Sequence, residues 1–178
     1  MLRSGPDFET VEPLAQHWRM GKDIVPEDGK IEKRVLIQAS PSIVYKALTD
    51  ARDLMRWFCD RATSDPREGG ELTAFWKSGT TGIRGRAVFS RLIHVSLVEL
   101  TWLDEGNGPV EEARHVFRYS IRHSRGTTEV ALRDENGTPM EEESLAVLSE
   151  GWNYVLQGLK DYCEQKERAG KSRPAEAE

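Results

Sequence analysis

Histidine, cysteine, tyrosine and tryptophan are the side chains best equipped for chemistry in this chain, and their spacing limits what they can do. His17, His94, His115 and His123 stand in no metal-ligand pattern with Cys59 or Cys163. A zinc site draws on closely spaced Cys and His ligands, so no metal and no cofactor is expected. No phosphate loop, no Gly-x-Ser-x-Gly elbow and no Cys–His pairing suited to a nucleophile occurs either. Hydrolase and kinase chemistry thereby fall away. One pair remains: His115 and Tyr119 lie four residues apart in the alternating run from Ala113 to Arg122, so both project from the same face of a strand. Each can give or take a proton, which suits acid–base work in a cyclisation or dehydration. The plainer reading is a buried histidine hydrogen-bonded to a neighbour, because an unpaired buried polar group costs roughly 1–3 kcal/mol. The plainer reading is preferred, and no catalytic residue is assigned.

The elements that must position this pair follow from periodicity. Ala113, His115, Phe117, Tyr119 and Ile121 form one set of the alternating run, and Arg114, Val116, Arg118, Ser120 and Arg122 the other. The first set is the one to face inward. Val98, Leu100 and Trp102 on one neighbour, with Thr128, Val130 and Leu132 on the other, continue that interior. Trp57, Trp76, Trp102, His115, Phe117, Tyr119, Trp152 and Leu156 are the candidate ligand-binding residues. Bulky aromatics with a few polar tips are the usual composition of a small-molecule pocket. Arg84, Arg86, Arg114, Arg118, Arg122 and Arg133, interleaved with Glu99 and Glu129, read as a solvated outer face.

Taken in order, a strand over Ile31–Ala39 turns Val35, Ile37 and Ala39 to one side, and Ser40-Pro41 caps a helix whose apolar side is Ile43, Val44, Ala47 and Leu48. Thr49-Asp50 breaks it, and Leu54, Trp57 and Phe58 mark a second short helix. After the Gly69-Gly70 turn, strands are expected over Leu72–Trp76, Gly82–Ile93, Leu97–Leu103, Glu112–Arg122 and Thr127–Arg133, joined by short turns. Asp134-Glu135-Asn136-Gly137 reads as turn chemistry. A long helix then runs from the Thr138-Pro139 start, with Glu141 as partner in a capping box, to about Arg168. Leu145, Leu148, Trp152, Val155, Leu156, Leu159, Tyr162 and Cys163 give it an apolar stripe. At ~1.5 Å per residue, about 25 residues make nearly 40 Å, enough to cross six or seven strands. Gly151 and Gly158 at the margin of the stripe leave room for a ligand or for close packing. The pattern β-αα-β-β-β-β-β-α is an α+β architecture in which a curved antiparallel sheet wraps the last helix.

The chain has 178 residues, a single-domain length. Residues 1–29, punctuated by Pro6, Pro13 and Pro26, read as an N-terminal extension; 30–168 is the domain body and 169–178 a flexible tail. A net charge of −5 argues against a dedicated nucleic-acid binder or a binder of anionic membranes. No signal-peptide core or apolar run of membrane length is present, and with two unpatterned cysteines a reduced, cytoplasmic setting is expected.

The order Ile37-x-Ala39-Ser40-Pro41-x-x-Val44-Tyr45-x-Ala47-Leu48-Thr49-Asp50, then Trp57-Phe58, Gly69-Gly70, Gly85, Thr101-Trp102 and Gly151-Trp152-x-x-x-Leu156-x-x-Leu159, resembles the START-like superfamily, also called SRPBCC or Bet v-like. Within it the chain is most similar to the branch named after the activator of heat shock protein 90 ATPase. The resemblance spans about Lys30 to Gln165. It implies the helix-grip fold, with a cavity between sheet and long helix that relatives use for hydrophobic molecules. The expected function is therefore binding of a small hydrophobic or amphipathic ligand. The alternatives are a chaperone ATPase activator-like interaction module, with a role in stress response, and a polyketide cyclase/dehydratase-like enzyme using His115 and Tyr119. The resemblance also leaves open a chaperone partner and a homodimer.

Overall fold

A computed structural model describes residues 30–103, 115–136 and 142–172. Its elements run β1 (Lys30–Ile37), α1 (Pro41–Thr49), α2 (Ala51–Trp57), β2 (Arg61–Ser64), β3 (Glu71–Ser78), β4 (Thr81–Ile93), β5 (Leu97–Leu103), β6 (His115–Ser124), β7 (Thr127–Asn136) and α3 (Glu142–Lys171). The strands form one antiparallel sheet in the order β1-β7-β6-β5-β4-β3-β2, so the first strand closes against the last. In β4 the register shifts between Phe89 and Arg91, a bulge of the kind that bends a strand and increases its twist. The sheet curves around α3 as the helix-grip reading requires.

Alternation sets the inner face. Ile31 and Ile37, Leu72, Ala74 and Trp76, Ala87 and Phe89, Val98, Leu100 and Trp102, Phe117, Tyr119 and Ile121, and Val130 and Leu132 are all buried. Against them α3 lays Leu148, Trp152, Val155, Leu156, Leu159 and Cys163, also buried, at three- and four-residue steps. The indole of Trp102 crosses the backbone of β4 at Gly85, where a Cβ would collide with its Cζ2 atom. Only glycine admits that ring.

Asp50 both ends α1 and caps α2, its carboxylate accepting from the amides of Arg52 at 2.8 Å and Asp53 at 3.3 Å. Ser40 stands at the start of α1, but its side chain makes no cap hydrogen bond. Its backbone N–H instead donates to Glu167 Oε2 at 3.0 Å, and the Gln38 amide donates to Glu164 Oε1 at 2.9 Å. Lys160 Nζ reaches the Leu36 carbonyl at 2.5 Å, and Lys166 Nζ grips both oxygens of Asp53 at 2.8 and 2.6 Å. The C-terminal half of α3 is thus locked to the β1–α1 junction and to α2.

Two expectations are corrected. Six strands rather than five follow the short helices among the described residues, because Arg61–Ser64 pairs with β3 from Arg61 opposite Phe75 to Ser64 opposite Leu72. This polar edge strand carries no apolar alternation to betray it. Asp134 and Glu135 lie within β7, which extends to Asn136, rather than in a turn, because β7 stays paired to β1 and β6 along that stretch. The outer face carries charge pairs: Arg118 with Glu99 at 2.6 Å, Arg133 with Glu135 at 2.6 Å and Arg86 with Glu71 at 2.8 Å. The Thr138 cap with Glu141, Ala113 and Arg114, the segment 1–29 and the end of the tail lie outside the described residues.

Candidate functional site

A cavity opens between α1, α2, the middle of the sheet and α3. Leu48, Leu54, Trp57 and Phe58 wall it on the side of the short helices, Leu72, Leu100, Trp102, Phe117 and Tyr119 on the sheet, and Trp152 and Val155 on the long helix. The space open to the centre of a water molecule is about 30 Å³, room for about two waters at ~10–15 Å³ each. Its walls are almost entirely carbon. Trp57 donates its indole N–H to the Ala47 carbonyl at 2.9 Å, and Trp152 donates to Asp134 Oδ2 at 2.6 Å. Both rings therefore offer the cavity their faces and edges rather than a polar atom.

Of the eight residues singled out from the sequence, Trp57, Trp102, Phe117, Tyr119 and Trp152 stand together on this lining. The other three stand apart from it. Trp76 is buried beside Phe58, edge to face at 5.2 Å, with its indole donating to the Phe58 carbonyl at 2.7 Å. Leu156 is buried in the helix–sheet core. His115 lies behind Phe117, ring centroids 4.3 Å apart, and is turned to a carboxylate partner on β7.

That partner is Asp134, 1% exposed on the inner face of β7. His115 Nε2 meets its Oδ1, and Trp152 Nε1 donates to its Oδ2. Each oxygen of the buried carboxylate thus has a donor, the arrangement that makes burial of such a group tolerable. The network joins β6, β7 and α3 at one point. Carrying the alternation Thr128, Val130, Leu132 one step further would have placed Asp134 inside. Its Asp-Glu-Asn-Gly context instead suggested a turn. The remaining lining residues, Leu48, Leu54, Phe58, Leu72, Leu100 and Val155, went unassigned because an apolar residue at a core spacing looks the same whether it faces a void or a neighbour.

Tyr119 carries the polar tip of the lining. It is 6% exposed, and burial, helped by the nearby Asp134 carboxylate, holds its phenol well above its ordinary value. Burial thereby favours the protonated phenol, the form that donates. Gly158 does not widen the cavity: a Cβ there would sit 3.6 Å from Trp57 Cε3, an ordinary contact, so the Trp57 ring already occupies that space. Among the described residues no three His, Cys, Asp or Glu side chains gather as a metal site, and no helix is long and apolar enough to cross a membrane.

A family model described as Activator of Hsp90 ATPase homolog 1-like protein matches residues 38–164. A comparison with curated proteins gave no match. Among solved structures, the solution structure of the Aha1 dimer from Colwellia psychrerythraea is 23% identical over 76% of this chain and 96% of that one, with a TM-score of 0.62. A crystal structure of a protein from Nitrosomonas europaea is 14% identical over 81% of this chain and 99% of its own, with a TM-score of 0.68. DynU16, a protein of the dynemicin biosynthetic locus, is 18% identical over 79% of this chain and 49% of its own, with a TM-score of 0.65. At these identities the structural likeness establishes the fold alone.

Proposed function

This chain belongs to the family of activator of Hsp90 ATPase homolog 1-like proteins, and from that premise we propose that its domain, residues 30–168, binds a small hydrophobic or amphipathic molecule between the sheet and α3. The observation that carries the reading is the cavity itself: aromatic and aliphatic walls from every layer, with two of its indole N–H groups spent elsewhere in the protein. A void in such a site forfeits dispersion contacts on all sides, and an apolar occupant restores them. Space for about two waters means that a ligand of several carbon atoms enters by displacing ring positions. The two cysteines are free and buried, which accords with a cytoplasmic setting. A second reading draws on the family's description and on the Aha1 dimer: an interaction module that assists a chaperone ATPase, working singly or as a homodimer. The cyclase-like reading has less support, because His115 is committed to Asp134 and stands off the cavity lining.

Native mass spectrometry on the chain purified from its own host tests the binding reading, alongside Val155→Phe, which adds volume at the lining. The expected result is a small-molecule adduct on the wild type that disappears in Val155→Phe while the far-UV circular dichroism is unchanged. Bare polypeptide mass for both, with no uptake of an environment-sensitive apolar dye by either, refutes it.

A further inference from the structure

We propose that the hydroxyl of Tyr119 is the hydrogen-bond donor that selects the ligand, so that the cavity takes an uncharged apolar molecule carrying an acceptor oxygen, such as a ketone or ether. This rests on the binding reading above and narrows it to a chemical class.

Tyr119 is buried on β6, lines the cavity and forms no hydrogen bond through its hydroxyl among the described residues. Buried hydroxyls are ordinarily paired, so this one is set to meet something that enters. Two neighbouring donors do not compete for the role, since the Trp57 and Trp152 indoles are already bonded to Ala47 and Asp134. The orientation is fixed from behind, with the Tyr119 ring packed edge to face on Trp152 at 6.3 Å. The carbon walls of the cavity supply the hydroxyl with no acceptor, and an acceptor oxygen on a ligand would give it the partner that a buried donor requires.

Charge selection follows from Asp134. Its carboxylate lies just beyond Trp152 and is close enough to Tyr119 to disfavour the phenolate. The same negative charge disfavours a carboxylate or phosphate brought into a carbon-lined site with no free cation on its walls. A cation is disfavoured too, because the carbon walls give it nothing in return for the hydration it loses. What remains is a neutral molecule, apolar over most of its surface, with an oxygen directed at β6.

Acetophenone, ethylbenzene and benzoate, matched in shape and differing in the oxygen and its charge, are titrated into the full chain as wild type and as Tyr119→Phe. Binding is followed by tryptophan fluorescence and by the indole N–H resonances. Tyr119→Phe is expected to weaken acetophenone about five- to tenfold and to leave ethylbenzene unchanged. Benzoate is expected to bind more weakly than acetophenone to the wild type. Acetophenone affinity that survives in Tyr119→Phe, or a fall shared equally by ethylbenzene, overturns the donor assignment while leaving the cavity reading intact. Benzoate binding tighter than acetophenone overturns the charge selection. Absence of binding by all three overturns the cavity reading and the donor assignment together. A thermal melt of Tyr119→Phe accompanies the titration. A variant that fails to fold also overturns the assignment, because a hydroxyl without a protein partner cannot be holding the fold.

Discussion

Replacing Asp134 with alanine removes the one carboxylate on which His115 and Trp152 converge. The residue is 1% exposed, so water does not readily take its place. Each buried donor left without a partner costs about 1–3 kcal/mol, and the two acceptor contacts are lost with them; a destabilisation of roughly 3–5 kcal/mol is expected, in the range for breaking a buried charge network. For a chain of this length that is a fall of about 6–20 °C in Tm, at ~2–4 °C per kcal/mol. Asp134→Asn should cost less, since its carbonyl still accepts from Trp152 and its amide can donate to His115 in the other tautomer. Urea unfolding, read by tryptophan fluorescence, measures both variants. A double-mutant cycle with Trp152→Phe isolates the indole–carboxylate bond, with an expected coupling of about 1–2 kcal/mol. Additivity within ~0.3 kcal/mol, or an Asp134→Ala variant within ~0.5 kcal/mol of wild type, refutes the claim that this group ties the sheet to the long helix.

Two further perturbations address α3. Gly158→Ala should raise stability by about 1 kcal/mol, the helix-propensity gain, since its Cβ meets Trp57 at an ordinary 3.6 Å. Gly158→Leu should lower it by about 1–3 kcal/mol by driving into that ring, so thermal melts in which leucine matches or exceeds alanine would show an empty space there. Glu164 and Glu167 are held below their ordinary value of 4.5, chiefly by the amides of Gln38 and Ser40. A depressed folded-state pKa gives stability that is full above the unfolded value and lost as pH falls through the folded one. Wild-type Tm should therefore drop more steeply below about pH 4.5 than that of a Glu164→Gln, Glu167→Gln double variant, and parallel curves refute the link.

Much of this arrangement is legible in the chain because a strand's two-residue period is a strong local signal. The alternation around Phe117 and Tyr119, and the stripe of Leu148, Trp152, Val155 and Leu159, define the inner faces of β6 and α3 without any long-range information. What is not legible in the chain depends on distant partners. Arg61–Ser64 is a strand only because β3 is there to pair with it, and its own residues carry no pattern. Asp134 looks like a turn residue until β1 and β6 are known to continue past it on both sides. Ser40 looks like a helix cap, yet its amide is bonded to Glu167, 127 positions along the chain. The polar clamps on the end of α3 belong to this class: no spacing within a helix reveals that its glutamates serve the backbone of the first strand's exit.

The pairing of β1 with β7, Lys30 opposite Glu135, bears on how the molecule is made. A ribosome delivers β1 first, but its one sheet neighbour among the described residues emerges about a hundred residues later, and the lysine and glutamates that fasten its exit come later still. Until then Ile31 and Ile37 have no sheet neighbour to bury them. Non-local closures of this kind slow folding, because chain entropy is spent before the contacts that reward it form. Synthesis from the N-terminus therefore leaves an unpaired apolar strand waiting through most of translation, the situation in which nascent chains aggregate or need a holdase. Release of the last helix, rather than of any strand, is the step that completes the domain.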